Sequence, residues 1–334
     1  MKKALIFGIS GQMGSYCSER LLSEGYHVIG QKRRASSLNT QRIDHIFDNK
    51  NLELHYGDLS DQSSIDDLVI KFKPDLCFNF SAMSHVRVSF DTPIYTADIT
   101  GTGAARVMES IRKYSPETHL LQASSSEMFG GVGNVRADEK TPHDPRSPYA
   151  CAKSYSFNMI KNYREAYGLH FSNAICFNYE SPRRGETFVS RKITRAATRI
   201  KLGLQSELVM GDISTRRDWS HCLDTLDGMM KIIQNKKADD YVISSDVNYS
   251  IEDFLSKSFS RLDLDFRDYL KFDDKYKRPT EVQNLLGNSS KIRTELGWSP
   301  KYNFDQLVEE MIDSDLELAK QELLIKNHKS GIIL

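Results

Sequence analysis

The chain has 334 residues and no net charge, because 45 lysines and arginines balance 45 aspartates and glutamates. That balance creates no overall field for nucleic acid, so we expect no nucleic-acid partner. No apolar run approaches the roughly 18 residues that a membrane-spanning helix needs, so we expect no membrane partner. Met1-Lys2-Lys3 leads into a strand pattern rather than a signal peptide. The five cysteines lack CxxC spacing, which predicts reduced thiols, a cytoplasmic location and no metal site.

The N-terminus has the pattern of a dinucleotide-binding turn. Lys3–Phe7 is an apolar run that predicts a buried strand, and residues 12–23 are predicted to form a helix. Glycines follow the strand at intervals of three, as GxxGxxG rather than GxGxxG. Glycine lets the backbone approach a pyrophosphate, and the helix N-terminus offers free N–H groups. The predicted cofactor-binding residues here are Gly8, Gly11, Gln12, Met13 and Gly14.

The second predicted strand, residues 27–31, ends in Lys32, Arg33 and Arg34. An NAD-selective site places an acidic residue near this position to hold the ribose 2′-hydroxyl. Three cations stand here instead, and arginine binds phosphate in a bidentate manner. We therefore predict NADP as the cofactor, with Arg33 and Arg34 at its 2′-phosphate.

Strands and helices continue to alternate through the first half of the chain. In order, the patterns predict a strand over 52–55, a helix over 61–72 capped by Ser60, a strand over 76–80, a helix over 94–114, a strand over 119–123, a helix that Pro148 opens, and a strand over 171–177. Such alternation predicts an α/β fold, a Rossmann-type doubly wound parallel sheet.

The pattern loosens after residue 178, where polar loops separate shorter elements such as a basic helix over 188–202. We therefore predict a smaller, discontinuous C-terminal substrate domain. Residues 1–178, with about 212–240, are predicted to form the NADP-binding Rossmann domain. Residues 179–211 and 241–334 are predicted to form the nucleotide-sugar-binding domain.

Tyr149 and Lys153 lie four residues apart, so they share one face of the predicted helix. A lysine ammonium beside a phenol favours the phenolate, which can act as a base near neutral pH, and a nearby serine hydroxyl can share the proton. This dyad explains hydride removal from a carbinol. Glu127 is a second acid/base that the oxidation does not require, which predicts a further chemical step after the oxidation.

Cys151 lies between Tyr149 and Lys153 in sequence but is expected to pack on another helix face.

Arginines mixed with carboxylates and amides in the second half of the chain suit a nucleotide diphosphate. Arginine and lysine would meet the phosphates, and a carboxylate can hold ribose hydroxyls. Composition alone leaves the base open. The candidates are Asn178, Lys192, Arg217, Arg278 and Glu281.

From about residue 3 to 311, the chain resembles the GDP-mannose 4,6-dehydratases of the extended short-chain dehydrogenase/reductase family. The stretch SPRRGETF, residues 181–188, is especially specific. The other motifs are residues 8–15, 33–37, 55–59, 84–86, 145–150, 162–168 and 278–282. The resemblance implies that Asp58, Leu59 and Ser81 bind the cofactor and that Ser84, Glu127 and Glu180 bind substrate.

The resemblance implies a redox-neutral dehydration of a GDP-sugar. Tyr149 would take the proton of the C4 hydroxyl as hydride leaves C4 for NADP, with Lys153 beside it. Ser125 stands where the family usually has threonine and keeps a hydroxyl there. Glu127 would remove the C5 proton and help expel the C6 hydroxyl as water. Hydride would return to C6, giving a GDP-4-keto-6-deoxy sugar.

The loop over residues 33–42 matches a family loop that helps to build a tetramer, so we expect a homo-oligomer, a dimer or a tetramer. Several residues depart from the family pattern, and some of them lie close to the expected hexose. The departures are Met13, Ser81, Met83, Met128, Phe129 and Tyr179. The substrate is expected to be GDP-mannose or a closely related GDP-hexose, with GDP-N-acetylglucosamine and a GDP-heptose as alternatives.

Two other classes of function stay open at this point. A nucleotide-sugar epimerase or reductase needs the dyad but no base for C5, so Glu127 argues against it. A non-catalytic nucleotide-sugar-binding protein would most readily lose Tyr149 or Lys153, and both are present.

Overall fold

The computed structural model describes residues 1–329. Its strands alternate with helices through the first half of the chain. The strands are β1 (Lys3–Phe7), β2 (His27–Lys32), β3 (Leu52–Tyr56), β4 (Leu76–Asn79), β5 (His119–Ser125), β6 (Arg136–Ala137), β7 (Phe171–Cys176), β8 (Asn178–Glu180), β9 (Leu208–Met210), β10 (Arg216–His221), β11 (Asp240–Ile243), β12 (Asn248–Ser250), β13 (Leu270–Phe272) and β14 (Leu286–Gly287).

The helices cover both faces of the main sheet and build the C-terminal part. They are α1 (Gln12–Ser23), α2 (Gln62–Phe72), α3 (Val86–Asp91), α4 (Pro93–Thr96), α5 (Gly103–Tyr114), α6 (Pro148–Tyr167), α7 (Val189–Lys201), α8 (Cys222–Gln234), α9 (Ile251–Ser260), α10 (Ser290–Leu296) and α11 (Phe304–Lys329). Along residues 1–329, no helix combines the length and apolar character that crossing a membrane requires.

Seven parallel strands form the main sheet in the order β11-β7-β5-β4-β1-β2-β3. The chain builds from β1 outward through β2 and β3, then returns to place β4 on the other side of β1. This reversal creates a crevice at the carboxyl ends of β1 and β4, where open α/β sheets bind ligands. The predicted Rossmann-type doubly wound sheet is therefore confirmed.

The core lies on both faces of this sheet, because side chains alternate along a strand. In β1, Ala4 and Ile6 pack in one cluster with α1 and α8, while Leu5 and Phe7 pack in another with α2 and α5. Burying one such aliphatic or aromatic side chain contributes about 1.5–3 kcal/mol. The two clusters fix the strand ends that carry the candidate site.

The C-terminal part has its own apolar cluster, in which α7, α9 and α11 surround Trp219. A three-stranded sheet, β12-β10-β8, lies beside it. The last strand of the main sheet, β11, extends to Ile243, so residues 241–243 lie in that sheet. The division into a cofactor domain and a substrate domain stays a prediction.

Two helix predictions differ from the structure in detail. Asp61 caps α2, accepting from the Ser63 N–H at 3.1 Å, whereas Ser60 donates its hydroxyl to Asp58. The helix predicted over 94–114 contains a π-helical turn, Ala97–Thr102, between α4 and α5. Apolar spacing does not distinguish such a turn from an α-helix.

Candidate active site

The glycine turn after β1 fits a dinucleotide pyrophosphate. Gly8 has a φ of 84°, and the Gly11 N–H donates to the Gly8 carbonyl at 3.0 Å. A side chain on Gly14 would overlap that same carbonyl oxygen. Gly11 precedes α1, and no side chain of the described residues caps this helix. The turn is therefore a cradle whose N–H groups can face phosphate oxygens.

Gln12 and Met13 belong to this turn, but their side chains face inward. The Gln12 amide donates to the Tyr179 carbonyl at 3.1 Å and accepts from the Ser181 hydroxyl at 2.7 Å. Met13 is 2% exposed and packs in the core beneath the sheet. Their backbone alone can serve a ligand at the turn, and Gln12 joins the turn to the segment after β8.

Arg33 and Arg34 are exposed just beyond the end of β2. Arg33 Nη1 donates to the Tyr95 hydroxyl at 3.0 Å, while Lys32 lies 4.0 Å from the ring centre of Tyr56. Both arginines are therefore accessible to a ligand beside β2.

Ser81 also borders the crevice, whereas Asp58 and Leu59 lie in the loop between β3 and α2. A side chain on Gly8 would come within 3.0 Å of the Ser81 amide nitrogen, so Ser81 lies directly against the glycine turn. Leu59 is buried, whereas the Asp58 carboxylate accepts from the Ser60 N–H at 3.0 Å. The Asp58 carboxylate is thus engaged by its own loop.

Helix α6 presents Tyr149 and Lys153 to the carboxyl end of β5. Ser147 caps the helix by accepting from the Ala150 N–H at 3.1 Å, and Pro148 opens it. Lys153 Nζ donates to the Ala123 carbonyl at 2.5 Å and lies 5.8 Å from the ring centre of Tyr149. The structure therefore brings the two predicted dyad residues together, and the Lys153 ammonium is bound to the backbone of β5.

Burial has the largest effect on the pKa values of both dyad residues. It raises the pKa of Tyr149 to about 12, although a hydrogen bond with Ser125 lowers that pKa in part. Burial also lowers the pKa of Lys153 to about 8. Burial therefore opposes the phenolate that the dyad is predicted to form, and the phenolate stays a prediction.

Glu127 lies on a short 3₁₀ turn, Ser126–Phe129, directly after β5. Its N–H donates to the Ser125 hydroxyl at 3.2 Å, and its carboxylate lies 3.4 Å from Arg278 Nη1. The Glu127 charge also raises the pKa of Tyr149, so the two groups share one electrostatic environment. A second acid/base therefore lies close to the dyad.

Arg217, Arg278 and Glu281 form a cluster beside Glu127. Glu281 Oε1 lies 3.5 Å from Arg217 and 3.7 Å from Arg278. Arg217 is buried, and it donates to the Val282 carbonyl at 2.8 Å. A cavity of about 510 Å³ adjoins this cluster and is lined in part by Arg278 and Glu281. Two cations and a carboxylate beside a cavity suit a ribose diphosphate.

The other predicted substrate residues are placed less directly. Lys192 Nζ donates to the Val209 carbonyl at 2.6 Å, and Asn178 is half-buried in β8. Burial raises the pKa of Glu180, which accepts from Ser190 at 2.6 Å and lies 3.1 Å from Arg184. Ser84 is exposed at the loop before α3. Glu180 is thus held within the protein rather than open to a ligand.

The site also contains His85 and Arg184, which were not among the predicted site residues. Arg184 stacks 3.8 Å from the ring centre of Phe188, and its charge lowers the pKa of Tyr149. Burial lowers the pKa of His85, and the charges of Arg278 and Arg184 lower it further. Both residues lie in motifs that carry the family resemblance, so that pattern could have indicated them.

A doubly wound sheet with a glycine turn and a Tyr-Lys dyad is typical of the extended short-chain dehydrogenase/reductase class. The family model for GDP-mannose 4,6 dehydratase matches residues 5–311. The chain therefore belongs to the GDP-mannose 4,6-dehydratase family.

Named relatives agree over nearly the whole chain. It is 48% identical to GDP-mannose 4,6 dehydratase 1 of Arabidopsis thaliana, covering 97% of this chain and 92% of the relative. It is 43% identical to a GDP-mannose 4,6-dehydratase of Vibrio cholerae, covering 98% of this chain and 97% of that relative.

Solved structures share the fold at lower identity. A dTDP-glucose 4,6-dehydratase from Bacillus anthracis in complex with NAD has a TM-score of 0.84 at 22% identity, covering 96% of this chain and 98% of its own. RMD from Pseudomonas aeruginosa complexed with NADPH has a TM-score of 0.78 at 20% identity, covering 95% of this chain and 100% of its own. At these identities the likeness establishes the fold alone.

Proposed function

We propose that this protein is a lyase that converts GDP-mannose into a GDP-4-keto-6-deoxy sugar, with internally recycled NADP(H). The observation that carries the proposal is the position of Glu127, which shares an environment with Tyr149 and adjoins the Arg217–Arg278 cluster. An epimerase or reductase needs no such carboxylate. Membership of the GDP-mannose 4,6-dehydratase family supports GDP-mannose as the substrate.

The residues divide the reaction between two proton transfers. A bound nicotinamide cofactor would accept hydride from C4 and return it to C6, and the positive charge of its oxidised form would favour the Tyr149 phenolate. The Tyr149 phenolate takes the C4 hydroxyl proton, and the hydrogen bond from Ser125 stabilises that phenolate before the transfer. Lys153 is fixed by the Ala123 carbonyl and keeps a cation beside the phenol.

Glu127 acts after C4 has become a ketone. The ketone acidifies the C5 proton. The Glu127 carboxylate accepts that proton and passes it to the C6 hydroxyl, which leaves as water. Arg278, at 3.4 Å, holds the carboxylate in place.

The central test is incubation of the purified protein with GDP-mannose, GDP-N-acetylglucosamine, a GDP-heptose and other GDP-sugars, followed by mass detection of the loss of one water. GDP-mannose is expected to react most efficiently. The other GDP-sugars are included because Met83 stands where the family has an amide side chain. The Met83 N–H donates to the Thr100 hydroxyl. Faster turnover of another GDP-sugar would assign the substrate to that sugar. Binding without water loss from any of them would indicate a non-catalytic protein.

The cofactor choice rests on the two exposed arginines after β2. Arg33→Ala is expected to weaken NADP binding by about 1–3 kcal/mol, the scale of a charge-assisted hydrogen bond. NAD binding should change little, because NAD lacks the 2′-phosphate. Isothermal titration calorimetry with both cofactors measures the difference. Arg20→Ala, which removes an exposed cation on α1, is the control. Equal affinity of the unmodified protein for NAD and NADP contradicts the assignment.

The nucleotide choice rests on the cluster around Glu281. We expect GDP to bind more tightly than UDP, and Arg278→Ala to weaken GDP binding by about 1–3 kcal/mol through loss of a charged contact. Competition with a fluorescent GDP analogue measures both effects. Arg216→Ala is the matched control, because that side chain bonds to Asn248 on the outside of β10. Indistinguishable GDP and UDP affinities count against the proposal.

The family resemblance of the 33–42 loop supports a homo-oligomer, and sedimentation of the purified protein distinguishes a dimer from a tetramer. Arg42, within that loop, donates to the Arg183 carbonyl at 2.7 Å and to the Ser10 carbonyl at 3.3 Å. The end of the loop is therefore attached to the glycine turn of the same chain.

The reduced state expected for the cysteines supports a cytoplasmic location.

A further inference from the structure

Asp218 is a fully buried carboxylate in β10, directly after Arg217. It accepts from the backbone N–H groups of Ser245 at 2.8 Å, Asp246 at 3.1 Å and Gly287 at 3.3 Å. The Ser245 hydroxyl also donates to it, at 2.7 Å. A buried carboxylate is costly unless such donors satisfy it. The carboxylate therefore joins β10 to two segments that are distant in sequence.

One of these segments is residues 278–287, which we call the substrate segment. Its middle is paired with β10 through the backbone: the Arg216 N–H donates to the Gln283 carbonyl at 2.8 Å. The Leu285 N–H donates in return to the Arg216 carbonyl at 3.1 Å. The bond from Gly287 to Asp218 continues this attachment to the end of the segment.

The other segment is the turn after β11, residues 244–246. Gly287 lies so close to it that a side chain there would overlap Ser244. Asp246 has a φ of 67°, and its carboxylate accepts from the Ser289 N–H at 2.8 Å. Asp218 thus bonds to both sides of this close contact, and its loss would remove one attachment of the substrate segment at Gly287. The pairing of β14 with β6 is the other attachment there.

We infer that Asp218 is a positioning residue that sets the reach of Arg278 and Glu281 toward the nucleotide diphosphate. It acts through the substrate segment, whose opposite end carries those two side chains. Arg217, the adjacent residue, meets the same end through the Val282 carbonyl and Glu281. This role rests on the proposed function, because it assigns the two side chains to GDP.

The test compares Asp218→Asn with the unmodified protein. The amide keeps the shape but turns an N–H₂ group toward backbone N–H donors, which leaves buried donors unsatisfied. The Kd for GDP and the KM for GDP-mannose are expected to rise about tenfold, because Arg278 and Glu281 would lose part of their contact with the nucleotide diphosphate. The Kd for NADPH should stay within about twofold and kcat should change less than KM, because the glycine turn belongs to a different part of the site.

Asp224→Asn is the control for a buried carboxylate: Asp224 accepts from the Tyr302 N–H at 2.9 Å, outside the substrate segment. It is expected to lower Tm without changing the Kd for GDP. Ser245→Ala removes only the hydroxyl donor and should raise the Kd for GDP by a smaller factor, which keeps the test valid if Asp218→Asn does not fold.

The outcomes separate the two proposals. Equal weakening of GDP and NADPH, or an unchanged Kd for GDP in both Asp218→Asn and Ser245→Ala, overturns the positioning role. If Asp218→Asn does not fold, an unchanged Kd for GDP in Ser245→Ala alone overturns it. In either case the proposed function stands if the unmodified protein binds GDP and dehydrates GDP-mannose. Failure of the unmodified protein to bind GDP overturns both.

Discussion

Tyr149→Phe is expected to lower kcat for GDP-mannose by more than the roughly 10²–10⁴-fold that one positioned acid/base contributes. The substitution keeps the buried ring and removes the hydroxyl that bonds to Ser125. Oxidation at C4 needs that hydroxyl, because hydride cannot leave while the C4 oxygen keeps its proton. Every later step waits for the ketone, so no intermediate should accumulate.

Single-turnover absorbance of the reduced cofactor and mass analysis of the product measure this result. Tyr155→Phe is the matched control, since Tyr155 lies on the same helix and is 47% exposed. It should retain the activity of the unmodified protein. If Tyr149→Phe keeps more than about one per cent of the unmodified kcat, another group starts the oxidation.

Glu127→Gln is expected to stop the reaction at a different point. The amide keeps the shape and the N–H bond to Ser125, but it cannot accept the C5 proton. Oxidation at C4 continues, so reduced cofactor should build up on the protein while water loss falls by roughly 10²–10⁴-fold. In D₂O, the unmodified protein should place deuterium at C5, and this variant should not.

Glu139→Gln makes the same change at a half-buried carboxylate that accepts from the Val242 N–H at 2.7 Å. It should still incorporate deuterium and form product. Normal deuterium uptake and 6-deoxy product from Glu127→Gln would show that Glu127 is not the C5 base. The dehydratase proposal would then rest on family membership alone.

Much of the fold follows from local patterns. The apolar run of Lys3–Phe7 and the glycines behind it determine where β1 ends and α1 begins, and the structure has α1 at the predicted Gln12–Ser23. The spacing of Tyr149 and Lys153 fixes their shared helix face, since four residues make about one turn. These features depend only on neighbours in sequence.

Other features depend on contacts between distant residues. Asp61 rather than Ser60 caps α2, because backbone geometry decides which side chain reaches the free N–H. Cys151 was predicted to pack but is exposed, because α6 buries only the face that meets the sheet. The raised pKa of Tyr149 arises from burial that spacing cannot show. The attachment of Lys153 to the Ala123 carbonyl likewise requires β5 and α6 to be packed.

The placement of Glu127 bears on how activities diverge on this scaffold. The groups proposed for the oxidation come from α6 and the end of β5, whereas the proposed C5 base comes from a separate four-residue turn. Such an arrangement lets evolution exchange the later chemistry at one position while the shared oxidation step is preserved. A single inherited framework can therefore diversify toward dehydration, epimerisation or reduction without rebuilding its sheet.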